Sequence, residues 1–131
     1  MENKIKVEIA IALIIIAMIG IFVLEIVIPS FQSYYKVCIK IGYNDFGGKT
    51  IYNETTKNTT ILIRDVNGIV YKVNAERLLK EENLSYSTKR ILYHELCHKN
   101  QYENNRAYDC ENPIGFYFNE VECYIKGNLL I

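Results

Sequence analysis

An α+β fold attached to a membrane-spanning helix is what this sequence predicts, on three observations. Residues 9–28 form an almost unbroken apolar run. Short β-branched stretches separated by turn residues fill the middle of the chain, and two stretches of helical periodicity with a polar segment between them fill its last third. The expected order is an N-terminal transmembrane helix, a small, mostly antiparallel sheet, a helix carrying His94-Glu95-Leu96-Cys97-His98, and a C-terminal helix. Residues 1–30 would then be a membrane anchor and residues 34–131 a single domain.

Only Gly20 and Glu25 interrupt the apolar run. Twenty helical residues span about 30 Å, the thickness of the hydrocarbon core of a bilayer. A core helix of that length would show a polar stripe, and none is present. Pro29 and Ser30 are expected to end this helix, with Glu25 within a turn of the interface. A cleaved signal peptide is the main competing reading, because Lys4 and Lys6 precede the run. The run is long for one, however, and no small-x-small site follows, so an uncleaved single-pass anchor held in membrane lipid is preferred. Charge gives little orientation: Lys4 and Lys6 mix with Glu2 and Glu8, and Lys36 and Lys40 lie beyond the span.

The sequons at Asn53, Asn58 and Asn83 and an even count of cysteines, Cys38, Cys97, Cys110 and Cys123, lean toward an extracytoplasmic domain. Four cysteines allow three pairings, which the sequence leaves open. With 15 Lys plus Arg against 15 Asp plus Glu, there is no net basic charge to attract nucleic acid, and no nucleic-acid partner is expected.

Beyond the span, residues 34–41 alternate as a strand would, with Val37, Ile39 and Ile41 on one side and Lys36, Cys38 and Lys40 on the other. Residues 42–48, rich in glycine, read as a turn. Short strands are expected near residues 50–53, over 60–64 and over 69–73, the last two joined by a turn at Asp65-Val66-Asn67-Gly68. Asn74 can cap a short helix to about Glu82, and Ser85 or Ser87 the next one, which extends to about Glu103. On that helix Ile91, His94, His98 and Gln101 share one side while Leu92 and Leu96 lie opposite, so one face would pack on the core and the other line a cleft. Residues 104–113 are a polar loop placed over that cleft. A last helix is expected over residues 115–126, with Gly127 as its stop and residues 129–131 as an apolar tail packed back on the domain.

The chemistry concentrates in HELCH. Histidines at i and i+4 place both imidazoles on one helix face within reach of a single Zn²⁺, and Glu95 would lie beside the metal's open position. The bland alternative is a pair of solvated helix histidines. The chain contains only two histidines, and both are here. A tetrahedral zinc then needs a third donor from downstream, and Asn119-Glu120-Val121-Glu122-Cys123-Tyr124 offers two carboxylates. These point about 200° apart on a helix, so only one can reach the metal. Glu120 shares the apolar side with Phe116, Tyr117, Cys123 and Tyr124, whereas Glu122 lies with Phe118, so Glu120 is chosen. A structural zinc site of Cys97, His98, Cys110 and Cys123 is a weaker reading, because adjacent residues on a helix point about 100° apart.

HELCH and NEVECY together resemble the gluzincins, zinc metallopeptidases with an HExxH helix and a glutamate on a later helix, among them thermolysin, membrane-embedded CAAX prenyl proteases and the small archaeal minigluzincins. The resemblance covers about residues 34–131. It implies a zincin-like domain with His94, His98 and Glu120 as zinc ligands and Glu95 as general base. Cys123 stands where that family usually has a small residue, and no downstream histidine remains to steady an oxyanion. A tyrosine would have to serve, with Tyr102, Tyr108, Tyr117 and Tyr124 as candidates.

The expectation is hydrolysis of a peptide bond in a peptide or protein substrate, with zinc activating a water and Glu95 taking its proton. The alternative is a membrane-displayed binding module of the same fold that performs no catalysis.

Overall fold

The apolar N-terminus folds as one long helix, Glu2–Ile39, and the remainder of the chain packs on its distal end. This computed structural model describes residues 1–40 and 46–131. The helix comprises α1 (Glu2–Phe22), a π-helical turn (Val23–Val27), α2 (Ile28–Tyr34) and a second π-helical turn (Tyr35–Ile39). No residue of α1 is buried. Burial begins at Ile26 and Ser30, where the helix meets the C-terminal helix.

The expected stop at Pro29 and Ser30 is therefore corrected: the helix runs through both. Proline has no N–H for the carbonyl four residues back, that of Glu25, and the wider π turn just before it absorbs the missing bond. Asn128 Nδ2 approaches the freed Glu25 carbonyl at 3.5 Å, and Ser30 Oγ donates to the Ile26 carbonyl at 2.7 Å. The strand expected over residues 34–41 is also overturned, since Tyr34 to Ile39 are helical and Val37 and Ile39 are exposed. Extending an existing helix needs no new nucleus, and an alternating pattern without a partner strand cannot compete with that. Tyr34 packs edge-on against Phe116, and Cys38 is disulfide-bonded to Cys110. Ile41 and most of the expected turn, residues 42–45, lie outside the described residues.

Three strands, β1 (Gly48–Asn53), β2 (Asn58–Arg64) and β3 (Val70–Val73), form an antiparallel sheet in sequence order. Ile51 pairs with Thr60, and Ile63 with Tyr71. The β2–β3 turn is closed by Asp65 Oδ1, which accepts from the Asn67 and Ile69 amides, with Gly68 at φ 80°. Asn74 caps the single turn α3 (Ala75–Leu78), which is shorter than expected, and Ser85 caps α4 (Tyr86–Glu103) by accepting from the Thr88 amide. Asn112 caps α5 (Pro113–Leu129), with Pro113 in its first turn.

The core lies between the sheet and α4, where Ile61, Ile63, Ala75 and Leu92 are buried with Ile91 and Leu96 beside them. The layers follow as sheet, α4, α5 and the distal part of the long helix. Gly127 is not a stop but lies inside α5, where a Cβ would stand 2.9 Å from the Arg90 carbonyl and 3.3 Å from His94 Cβ. Glycine there lets α5 approach α4 closely. The helix ends instead at Leu130, in the left-handed conformation. The tail does not fold back: Leu129 and Ile131 are 63% and 66% exposed. All four cysteines are paired, Cys38 with Cys110 and Cys97 with Cys123, which rules out the four-residue structural zinc site built on them.

Candidate metal centre

Two helices build the site. α4 presents Leu92 to the core, and the opposite face carries His94 and His98 one turn apart. α5 runs antiparallel beside it, stapled by Cys97–Cys123, and brings Glu120 to the two imidazoles. His98 Nε2 lies 3.1 Å from Glu120 Oε1, His94 Nε2 lies 3.6 Å from Glu120 Oε2, and the two Nε2 atoms are 3.1 Å apart. One donor atom from each residue falls within 4.8 Å of the others. The structure thus brings together the three residues that the sequence singled out as ligands.

A cation fits this donor set. Two imidazole nitrogens and a carboxylate converge, and Glu120 Oε2 is buried without a hydrogen-bond partner. Of the two imidazoles, His98 has an outer hydrogen-bond partner, whereas His94 Nδ1 is buried without one. Gln101, almost fully buried, accepts through Oε1 from His98 Nδ1 at 3.0 Å, which leaves Nε2, beside Glu120, as the nitrogen that a cation would engage. Gln101 is itself held, donating through Nε2 to the Asn119 carbonyl and to Glu122. Glu122, the carboxylate passed over as a ligand, is paired with Arg106 and Lys126. Burial works to raise its pKa, and the hydrogen bonds from Gln101, Arg106 and Lys126 outweigh that and lower it.

The electrostatics of the metal-free triad are those of an ion pair. Burial opposes charge on His98, but the hydrogen bond and charge of Glu120 prevail and raise its pKa to about 9. Burial likewise opposes charge on Glu120, and the two imidazoles beside it, His94 at 3.6 Å and His98 at 3.1 Å, hold its carboxyl well below the usual range.

Glu95 is buried beside the histidines on α4. Thr50 of β1 donates to its Oε2 at 2.5 Å, so the sheet fixes the carboxylate. Gly48 makes room for it: a Cβ there would lie 2.9 Å from both Glu95 Cγ and Oε1. A cleft of about 590 Å³ opens over these groups, walled by β1 on one side and by α5 and the distal part of the long helix on the other. β1 pairs only with β2, so among the described residues its other edge is free along the cleft.

Of the four candidate tyrosines, Tyr102, Tyr108 and Tyr124 line the cleft, while Tyr117 packs against Phe118 and does not. Tyr124 lies edge-on to His94, and burial, then the charges of Glu120 and Glu95, push its phenol up to about 12. Tyr102 stacks on Tyr52 and is raised by burial and the same carboxylates. Both phenols keep their protons at neutral pH and are hydrogen-bond donors. Sequence reasoning placed Gln101 on the correct face without giving it a role, and it missed Thr50 and Gly48, whose contacts to Glu95 cross some 45 residues of chain. Compared with known proteins, the chain matches no family, no curated protein and no solved structure.

Proposed function

We propose that the protein is a membrane-anchored zinc metallopeptidase of minimal gluzincin type, with its domain on the extracytoplasmic side. The observation that carries this reading is the placement of buried Glu95, held by Thr50, beside a His94–His98–Glu120 cluster at the floor of an open cleft. His94, His98 and Glu120 would hold the zinc. When bound, it supplies a Lewis acid and lowers the pKa of water toward about 7.

The chain's own residues supply the rest. Glu95 accepts a proton from the attacking water and hands it to the departing amine. The free edge of β1 offers backbone groups to an extended peptide, which would seat its scissile bond over Glu95. A neutral phenol, from Tyr102, Tyr108 or Tyr124, donates to the oxyanion that develops on the carbonyl. The long apolar helix supports the anchored reading, and the two disulfides support an oxidising compartment.

The test is Glu95→Gln in the full chain. Zinc should stay at one per chain while peptide hydrolysis falls by a factor on the order of 10³. Loss of zinc in that variant would overturn the role given to Glu95. A wild-type protein that holds zinc and cleaves nothing would instead be a binding module.

A further inference from the structure

The long helix works as a ruler. Below Glu25 the apolar residues 9–24 are exposed throughout apart from a half-buried Gly20, and they cover roughly 24 Å, most of a hydrocarbon core. The first groups the domain touches lie immediately above: Glu25 pairs with Arg90 at 2.8 Å, and Asn128 approaches the Glu25 carbonyl. Arg90 and Asn128 therefore mark the membrane-side end of the domain. Tyr86 donates to the Asn128 carbonyl, and around this end Tyr86, Leu129 and Ile131 are exposed, an aromatic and apolar fringe suited to a headgroup layer.

Helix directions then fix the height of the site. α5 meets the long helix through Asn128 at Glu25 and Phe116 at Tyr34, so the two are antiparallel. α5 is antiparallel to α4 as well, with Gly127 at Arg90 and Cys123 at Cys97. α4 thus rises from the membrane side in the same sense as the long helix. His94 and His98 are four and eight residues past Arg90, at most about 6 and 12 Å further along. The cleft itself extends down to Ser87, Arg90 and Asn128, so its lower end opens at the level of Glu25.

We propose that the site takes the stretch of polypeptide a membrane-tethered protein or peptide presents within about 12 Å of the same bilayer. This rests on the peptidase reading above. An extended chain covers about 3.3 Å per residue, so a bond only a few residues from its own membrane attachment reaches the histidines through the lower end of the cleft.

The full chain, zinc-loaded in phosphatidylcholine vesicles, would be given one peptide sequence in three forms: free, joined to a transmembrane helix by about five residues, and joined by about twenty-five. The short-tether form should be cut at least tenfold faster than the long-tether form, and faster still than the free peptide. Equal rates for the two tethers, or for tethered and free peptide, would overturn the inference and leave the peptidase reading standing. No cleavage of any form would sink both. A readout independent of activity uses the absence of native tryptophan. Brominated lipid should quench Leu129→Trp strongly and leave Glu54→Trp unquenched, because Glu54 follows β1 at its end beside Tyr102, far along α4 from Arg90. An unquenched Leu129→Trp would overturn the geometry whatever the activity.

Discussion

Gln101 shows how much of the site depends on a residue with no chemistry of its own. Its Oε1 orients His98, and truncating the side chain leaves the imidazole free to turn and a buried N–H unpaired. Gln101→Ala should weaken zinc binding by about 10- to 100-fold in a chelator competition, and Gln101→Glu should not recover the loss, because its second oxygen would face the Asn119 carbonyl and the Glu122 carboxylate to which the amide now donates. His98 gives a pH signature in the metal-free protein. Its pKa, raised to about 9 from 6.5, contributes stability that is complete below pH 6.5 and disappears as pH rises through 9. Thermal unfolding in excess chelator should show the melting temperature falling across that window. The histidine spacing was legible because two imidazoles on one helix turn are a local fact. Thr50 and Gly48 were not, because their link to Glu95 exists only after the sheet has docked on α4.

At the scale of elements, local pattern succeeded where a cap or a turn fixed the answer and failed where a neighbour did. Ser85, Asn74 and the Asp65–Gly68 turn could be read from residue chemistry. Gly127 resembled a helix stop, yet its absent side chain serves the crossing of α5 over α4, which no local rule contains. Residues 34–39 alternate like a strand but continue a helix already nucleated and end tied to Cys110. That tie closes a loop of 72 residues, and in the chain-entropy picture it is worth roughly 4 kcal/mol. Cys38→Ser with Cys110→Ser should lower the free energy of unfolding by about 2–5 kcal/mol in urea titrations at fixed zinc, with the same secondary structure by circular dichroism.

For the whole molecule, the apolar N-terminal segment and the domain share one helix. The expected division between residues 30 and 34 falls inside it, and Ile26 and Ser30 are already buried where α5 packs. A fragment of residues 34–131 loses that packing. Against one beginning at residue 24, it should unfold at lower temperature, with about 2 kcal/mol attributable to Ile26 alone.

The unbroken course of that helix past Pro29 has a mechanical result. A continuous helix on which the domain is docked transmits its tilt if the π turn before Pro29 stays stiff, so a bilayer thinner than the apolar stretch, which a helix accommodates by leaning, would lean the cleft with it. On the peptidase reading, membrane thickness would then control the rate. Vesicles of increasing acyl length should change the rate on a short-tethered peptide while leaving the zinc affinity constant. A rate indifferent to acyl length would show that the helix bends.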